Sequence, residues 1–196
     1  MDKKLIDYIF NGYQSVDRLP EDPEGSLPFG LATSNTIAIC QVWEIDESKA
    51  MDLDSQALVN GIHNSLDPNQ ALIEVGCDKS LSGHDYIYSI VKTLKEPNGV
   101  QYFVLCHYWS DDSVLNFQGF FDEVGTTGTR DSMIYSSLLQ QHSYEEIQNK
   151  WWFDPYDNNF KHKTLMNLSE KKELDEYFPE HPLSLARAFI EKIKQS

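Results

Sequence analysis

Val100-Gln101-Tyr102-Phe103-Val104-Leu105-Cys106-His107-Tyr108-Trp109 is the most strand-like run of the chain, rich in aromatic and β-branched side chains. Pro97-Asn98-Gly99 ahead of it is a hairpin signal, because Asn-Gly tolerates the positive φ of a tight turn. Ser110-Asp111-Asp112-Ser113 behind it reads as a second turn. Beyond these turns lie two more apolar runs, Tyr86 to Leu94 and Val114 to Val124. Three strands joined by turns this short argue for an antiparallel meander, since a parallel pair needs a crossover of a dozen residues or more.

Working outward, Thr36 to Ile45 is a further strand. Ile37, Ile39, Trp43 and Ile45 share one parity, and Ala38, Cys40 and Val42 the other. A strand apolar on both faces is expected to be covered on both. Ala71 to Cys77 reads as a strand too. Between these two, Asp52 or Asp54 can cap a helix running to about Leu66, with Leu58, Ile62 and Leu66 on one side and Asp67-Pro68-Asn69 ending it. Residues 1–34 read as an irregular lead-in, with a short helix carrying Leu5, Ile6, Ile9 and Phe10 before a stretch broken by Pro20, Pro23, Gly25, Pro28 and Gly30.

Past residue 124, Asp131 or Ser132 opens a helix, and Ser143-Tyr144-Glu145-Glu146 has the capping-box pattern of another. Residues 151–182 read as a long aromatic loop, broken by Asp154-Pro155 and His181-Pro182. The last helix, 183–193, carries the stripe Leu185, Phe189 and Ile193. With no repeat and no linker, the expected fold is α+β and a single domain: an antiparallel sheet packed between helices as an α/β/α sandwich.

The chain has 196 residues, 40% hydrophobic, which is enough for a sizeable core. Against 16 basic residues stand 31 acidic ones, a net charge of -15. Such a surface repels phosphate backbones and anionic headgroups, so nucleic acid and membrane are disfavoured as partners, while a basic protein partner would be steered towards it. No run is long and apolar enough to span a bilayer, and the charged start Met1-Asp2-Lys3-Lys4 leads into no signal-peptide core. Cys40, Cys77 and Cys106 are odd in number and scattered, unlike a secreted disulfide framework, so a cytoplasmic protein is expected.

The order strand, helix, strand, long antiparallel strands and helix over roughly residues 30–140, with Ser82-Gly83 ahead of a long meander strand, resembles the Mog1/PsbP-like fold. That resemblance implies a sheet between helices, in a scaffold whose members mostly bind protein partners or assist complexes rather than catalyse. The segments Asp154-Pro155-Tyr156-Asp157, Leu165-Met166-Asn167-Leu168-Ser169-Glu170 and Tyr177-Phe178-Pro179-Glu180 are similar to stretches of uncharacterised bacterial proteins. That class includes small acidic accessory and immunity proteins.

Two places stand out for binding. Gly125-Thr126-Thr127-Gly128-Thr129-Arg130-Asp131 joins a strand end to a helix start, where free N–H groups and Arg130 could hold an anion. It matches neither the P-loop nor the dinucleotide spacing, and its plainer reading is a turn in which Asp131 caps the helix and pairs with Arg130. Trp151, Trp152, Phe153, Tyr156 and Phe160 put five rings in ten residues. They either pin the loop, with Asp154 and Asp157 in Asx turns, or expose Trp151, Trp152 and Tyr156 as a partner surface.

The other patterns carry less chemistry. Six histidines show no metal-ligand spacing, Asp154 to Asn159 departs from the EF-hand loop, and Ser82-Gly83-His84-Asp85 is a turn rather than a triad. No catalytic residue, metal or cofactor is expected. Two readings remain: a non-catalytic protein-binding accessory or immunity-type protein, or a small-molecule or anion-binding enzyme centred on Gly125 to Asp131. The second requires a cleft holding Arg130 and a histidine.

Overall fold

The computed structural model describes residues 1–196. Two short strands, β1 (Gln14–Ser15) and β2 (Leu27–Ala32), precede five of ten residues each: β3 (Thr36–Ile45), β4 (Gln70–Lys79), β5 (Asp85–Leu94), β6 (Val100–Trp109) and β7 (Val114–Glu123). They form one antiparallel sheet in the order β1-β2-β3-β7-β6-β5-β4. The helices are α1 (Lys3–Ile9), α2 (Ser55–His63), α3 (Thr129–Leu138), α4 (Tyr144–Trp151) and α5 (Pro182–Lys194). No helix is long and apolar enough to cross a membrane.

The sheet's inner face builds the core. Ala38, Cys40 and Val42 of β3 share it with Tyr102, Val104 and Cys106 of β6 and with Leu115, Phe117 and Phe121 of β7. Across it lies α5, which touches β3, β5, β6 and β7 through Leu183, Phe189, Ile190 and Ile193. Pro182 starts that helix with a preset φ, and the His181 ring accepts the Leu183 N–H. Beside it α1 lowers Ile6, Ile9 and Phe10 into the same cluster, Phe10 stacking on Phe29 with centroids 3.9 Å apart. Gly119 is needed here, since a Cβ would stand 2.7 Å from the Phe121 ring.

The outer face is only half covered. Over β4 lies α2, capped by Asp54, and beneath it Leu72 and Ile87 are buried. Over β3 and β7 there is no helix. Ile37, Ile39 and Phe120 are 48%, 40% and 41% exposed, which corrects the expectation that β3 is covered on both faces. The fold is α+β with helices on both sides of an antiparallel sheet, but the second helical layer is partial.

Two further regions differ from their sequence reading. The lead-in contains β2, whose Pro28 and Gly30 disguised a strand lying near the sheet edge, where a missing N–H is tolerated. The aromatic loop is also more ordered than expected. Trp152–Phe153 (β8) pairs with Met166–Asn167 (β9), and 3-10 turns follow at Leu168–Glu170 and Lys172–Tyr177.

Candidate functional site

The loop from Gly125 to Asp131 leaves β7 and enters α3, with Gly125 and Gly128 at φ near +70°. The Gly128 N–H, which could have faced a bound anion, donates to the carboxylate of Glu123 at 2.8 Å. Thr129 donates its hydroxyl to the Thr126 carbonyl. The protein thus supplies its own anion to this turn. Burial pushes the Glu123 carboxyl upward against that hydrogen bond.

Arg130 points away from the loop and is buried. Its Nε donates to the Ser169 carbonyl at 2.6 Å and Nη2 to the Lys171 carbonyl at 3.1 Å. Nη1 donates to Ser184 Oγ and lies 3.0 Å from the Asp175 carboxylate. The expected Arg130–Asp131 pair does not form. Asp131 instead accepts from Ser169 Oγ and from Asn167 Nδ2, and burial raises its pKa while the Ser169 bond lowers it. It stands in the first turn of α3, and Gly128 is the N-cap.

These contacts belong to a larger buried ionic lattice. Lys92 Nζ meets the Glu170 carboxylate at 2.7 Å and the Leu165 carbonyl at 2.9 Å, and Tyr102 donates its hydroxyl to the same Glu170. Arg187 bridges Glu74 and Asp175. Together they fasten the segment 165–175 and α5 to the inner face of the sheet. His181 sits against Arg130 and Arg187, and burial first, then those charges, hold its pKa down at about 3.

A cavity of about 240 Å³ opens here, lined by Lys92, Tyr102, Glu123, Arg130, Asp131 and Trp152. His181 is on its wall, so the cleft required by the anion reading exists. Its cationic termini are nonetheless engaged from within: all three Arg130 guanidinium nitrogens, and Lys92 Nζ, have partners in the protein.

The aromatic residues divide. Trp151 is buried, edge-on to Tyr135 at 5.0 Å, so this one of the candidate surface rings belongs to the core. Trp152 is half-exposed, with Lys92 Nζ 5.5 Å from its ring centroid. The Tyr156 hydroxyl takes the Val75 N–H and donates to the Val75 carbonyl, sealing part of the β4 edge. Phe160 stacks on His63 at 4.0 Å, and His63 Nε2 lies 3.0 Å from Asp154. Asp154 also accepts from the N–H groups of Tyr156 and Asp157, the Asx geometry expected for a pinned segment. At the Ser82 turn, His84 faces Asp111 at 3.9 Å rather than Asp85.

The feature that sequence reading missed is the open half of the outer face. Register places Gly30, Ile39, Phe120, Phe103, Val91 and Leu72 in one row across β2, β3, β7, β6, β5 and β4. The Leu72 end of this row is buried, whereas Ile39 and Phe120 stand in solvent, and the rings of Phe103 and Phe120 are 4.8 Å apart. Val16 extends the patch at the β1 edge, 38% exposed.

No protein-family model matches the chain, and no curated protein matches it. Among solved structures it is similar to a protein of unknown function from Pseudomonas aeruginosa, with 14% identity and a TM-score of 0.37 over 66% of this chain and 96% of that one. It is also similar to PsbP (CyanoP) of Synechocystis sp. PCC 6803, with 18% identity and a TM-score of 0.39 over 66% of this chain and 78% of that one. The likeness is one of fold alone.

Proposed function

We propose that this protein is a non-catalytic binding module of the accessory or immunity type, which docks a protein partner on the open half of its sheet. The observation that carries the reading is the cluster of Ile37, Ile39 and Phe120, three large apolar side chains each at least 40% exposed on adjacent strands. Scattered apolar residues on a surface are ordinary, but a contiguous patch on a bare sheet face marks an interaction site. The small-molecule alternative at Gly125 to Asp131 is the weaker one, because Glu123, Ser169 and Asp175 already occupy the groups that would hold an anion. A cytoplasmic setting suits three unpaired thiols, two of them buried.

The test is affinity capture with the wild type, Phe120→Asp and Trp152→Ala side by side. The docking reading expects a partner recovered in constant ratio by wild type and Trp152→Ala and lost by Phe120→Asp. Retention by Phe120→Asp, or loss by Trp152→Ala alone, overturns it.

A further inference from the structure

We infer that the partner element seated on the open half-sheet is an amphipathic helix with an apolar stripe flanked by lysine or arginine. This rests on the docking reading above and names its occupant. The first argument is space. Strands β3, β7 and β6 carry α5 on their inner face and no helix over Ile39 and Phe120 on the outer one. At about 4.8 Å per strand, the stretch from β2 to β6 is roughly 15 Å across, and a helix with its side chains is about 10 Å wide. One helix fits beside α2 and completes the second layer.

The second argument is relief. Val16 and Ile39 close over Gly30, which has no side chain of its own, and leave beside it a depression of about 280 Å³ walled by Val16, Ile37 and Ile39. A leucine or phenylalanine projecting from a helix fits such a depression. Strand addition is a poorer match, because the edge strand here, β1, is only two residues long.

The third argument is charge. Within the patch Gln41 and Gln118 pair across β3 and β7, and its only charge among these cross-strand partners, Asp122 opposite Ile37, is already paired with Lys95. At one end the segment Asp17, Glu21, Asp22 and Glu24 holds four acids against Arg18. Asp22 is tied to this face, accepting from Gln41 Nε2 at 2.6 Å. The whole chain carries -15. A second copy carries the same net charge and is repelled as a whole, whereas a helix with basic flanks is drawn to these acids.

The test titrates the full chain with a labelled helical peptide of leucine and lysine, and with its glutamate-for-lysine counterpart, at low and high salt. The inference expects the lysine peptide alone to bind, weakening as salt rises. It expects Ile39→Asp/Phe120→Asp to weaken that binding by about tenfold or more. These added carboxylates make the control sharp, since adhesion through charge alone would tighten. Asp17→Asn/Glu21→Gln/Glu24→Gln, at exposed positions, is expected to flatten the salt dependence, with circular dichroism confirming that each variant is folded. Unchanged or tighter binding by the Asp variant, equal binding of the glutamate peptide, or no binding overturns the helix. Light scattering that shows a dimer which the Asp variant splits also overturns it, naming a second copy as occupant while leaving the docking face standing. The capture comparison with Phe120→Asp judges that face independently of either peptide.

Discussion

Lys92 and Glu170 face one another at 2.7 Å across the inner side of the sheet, each side chain only 2% exposed. A buried pair contributes little net stability compared with apolar packing, but breaking it leaves a charge sealed from water. Lys92→Met is therefore expected to lower the unfolding free energy by about 3–5 kcal/mol, read by urea denaturation. Lys92→Met/Glu170→Gln should recover part of that loss, because glutamine still accepts from Tyr102 without a charge. A single variant within about 1 kcal/mol of wild type would show that water reaches this pair.

His181 gives the fold an acid limit. Its pKa falls from 6.5 in the unfolded chain to about 3 in the folded one. Between those values the unfolded chain takes up a proton that the folded chain refuses, so stability falls as pH drops through that window. His107, also buried and accepting the Met51 N–H, is lowered to about 4 and acts in the same direction. His181→Asn keeps a side chain able to cap α5 and removes the titration. Its urea midpoint should fall less than that of wild type between pH 6.5 and pH 4. Parallel pH curves would count against the assignment.

Trp151 and Trp152 are neighbours with opposite fates, the first 5% and the second 45% exposed. Trp151→Ala is expected to cost about 3–5 kcal/mol as a core truncation. Trp152→Ala should cost about 1 kcal/mol or less, the scale of its contact with Lys92. Chemical denaturation of both variants checks the pair, and equal losses would contradict the burial seen here.

Cys77 is exposed on the edge strand, whereas Cys40 and Cys106 are buried and burial raises their thiols well above the ordinary value. A thiol reagent should modify Cys77 alone in the folded protein, and all three cysteines after unfolding. The Cys77 rate should rise with pH into the alkaline range, because partial burial and nearby acids raise that thiol too.

Much of the architecture was legible because local signals agreed. Thr36 to Ile45 and Val100 to Trp109 are strands with the bounds their composition suggests, and Ser143 with Glu146 makes the capping box that their spacing announces. β2 was not legible, since Pro28 and Gly30 argue locally for a loop while pairing with Gln41 and Ile39 supplies the strand from outside. The ionic lattice was hidden for a different reason. Lys92 and Arg130 lie far along the chain from Glu170, Asp175 and Arg187, and nothing in a lone charge indicates that it will be buried. The open half-sheet was misread because apolar residues of both parities in β3 show that two faces are apolar, not that two faces are covered. In the segment 151–160 the rings were rightly noticed, but only the contact between Trp151 and Tyr135 separates a buried ring from an exposed one.

The uncovered half of the sheet also has a calorimetric consequence. Ile37, Ile39 and Phe120 keep part of their hydration shells in the folded state, so unfolding exposes less new apolar surface than it would in a fully sandwiched sheet. The free protein should unfold with a heat-capacity increment at the low end for its size. The missing part should appear as a negative heat-capacity change when a helix settles on the face.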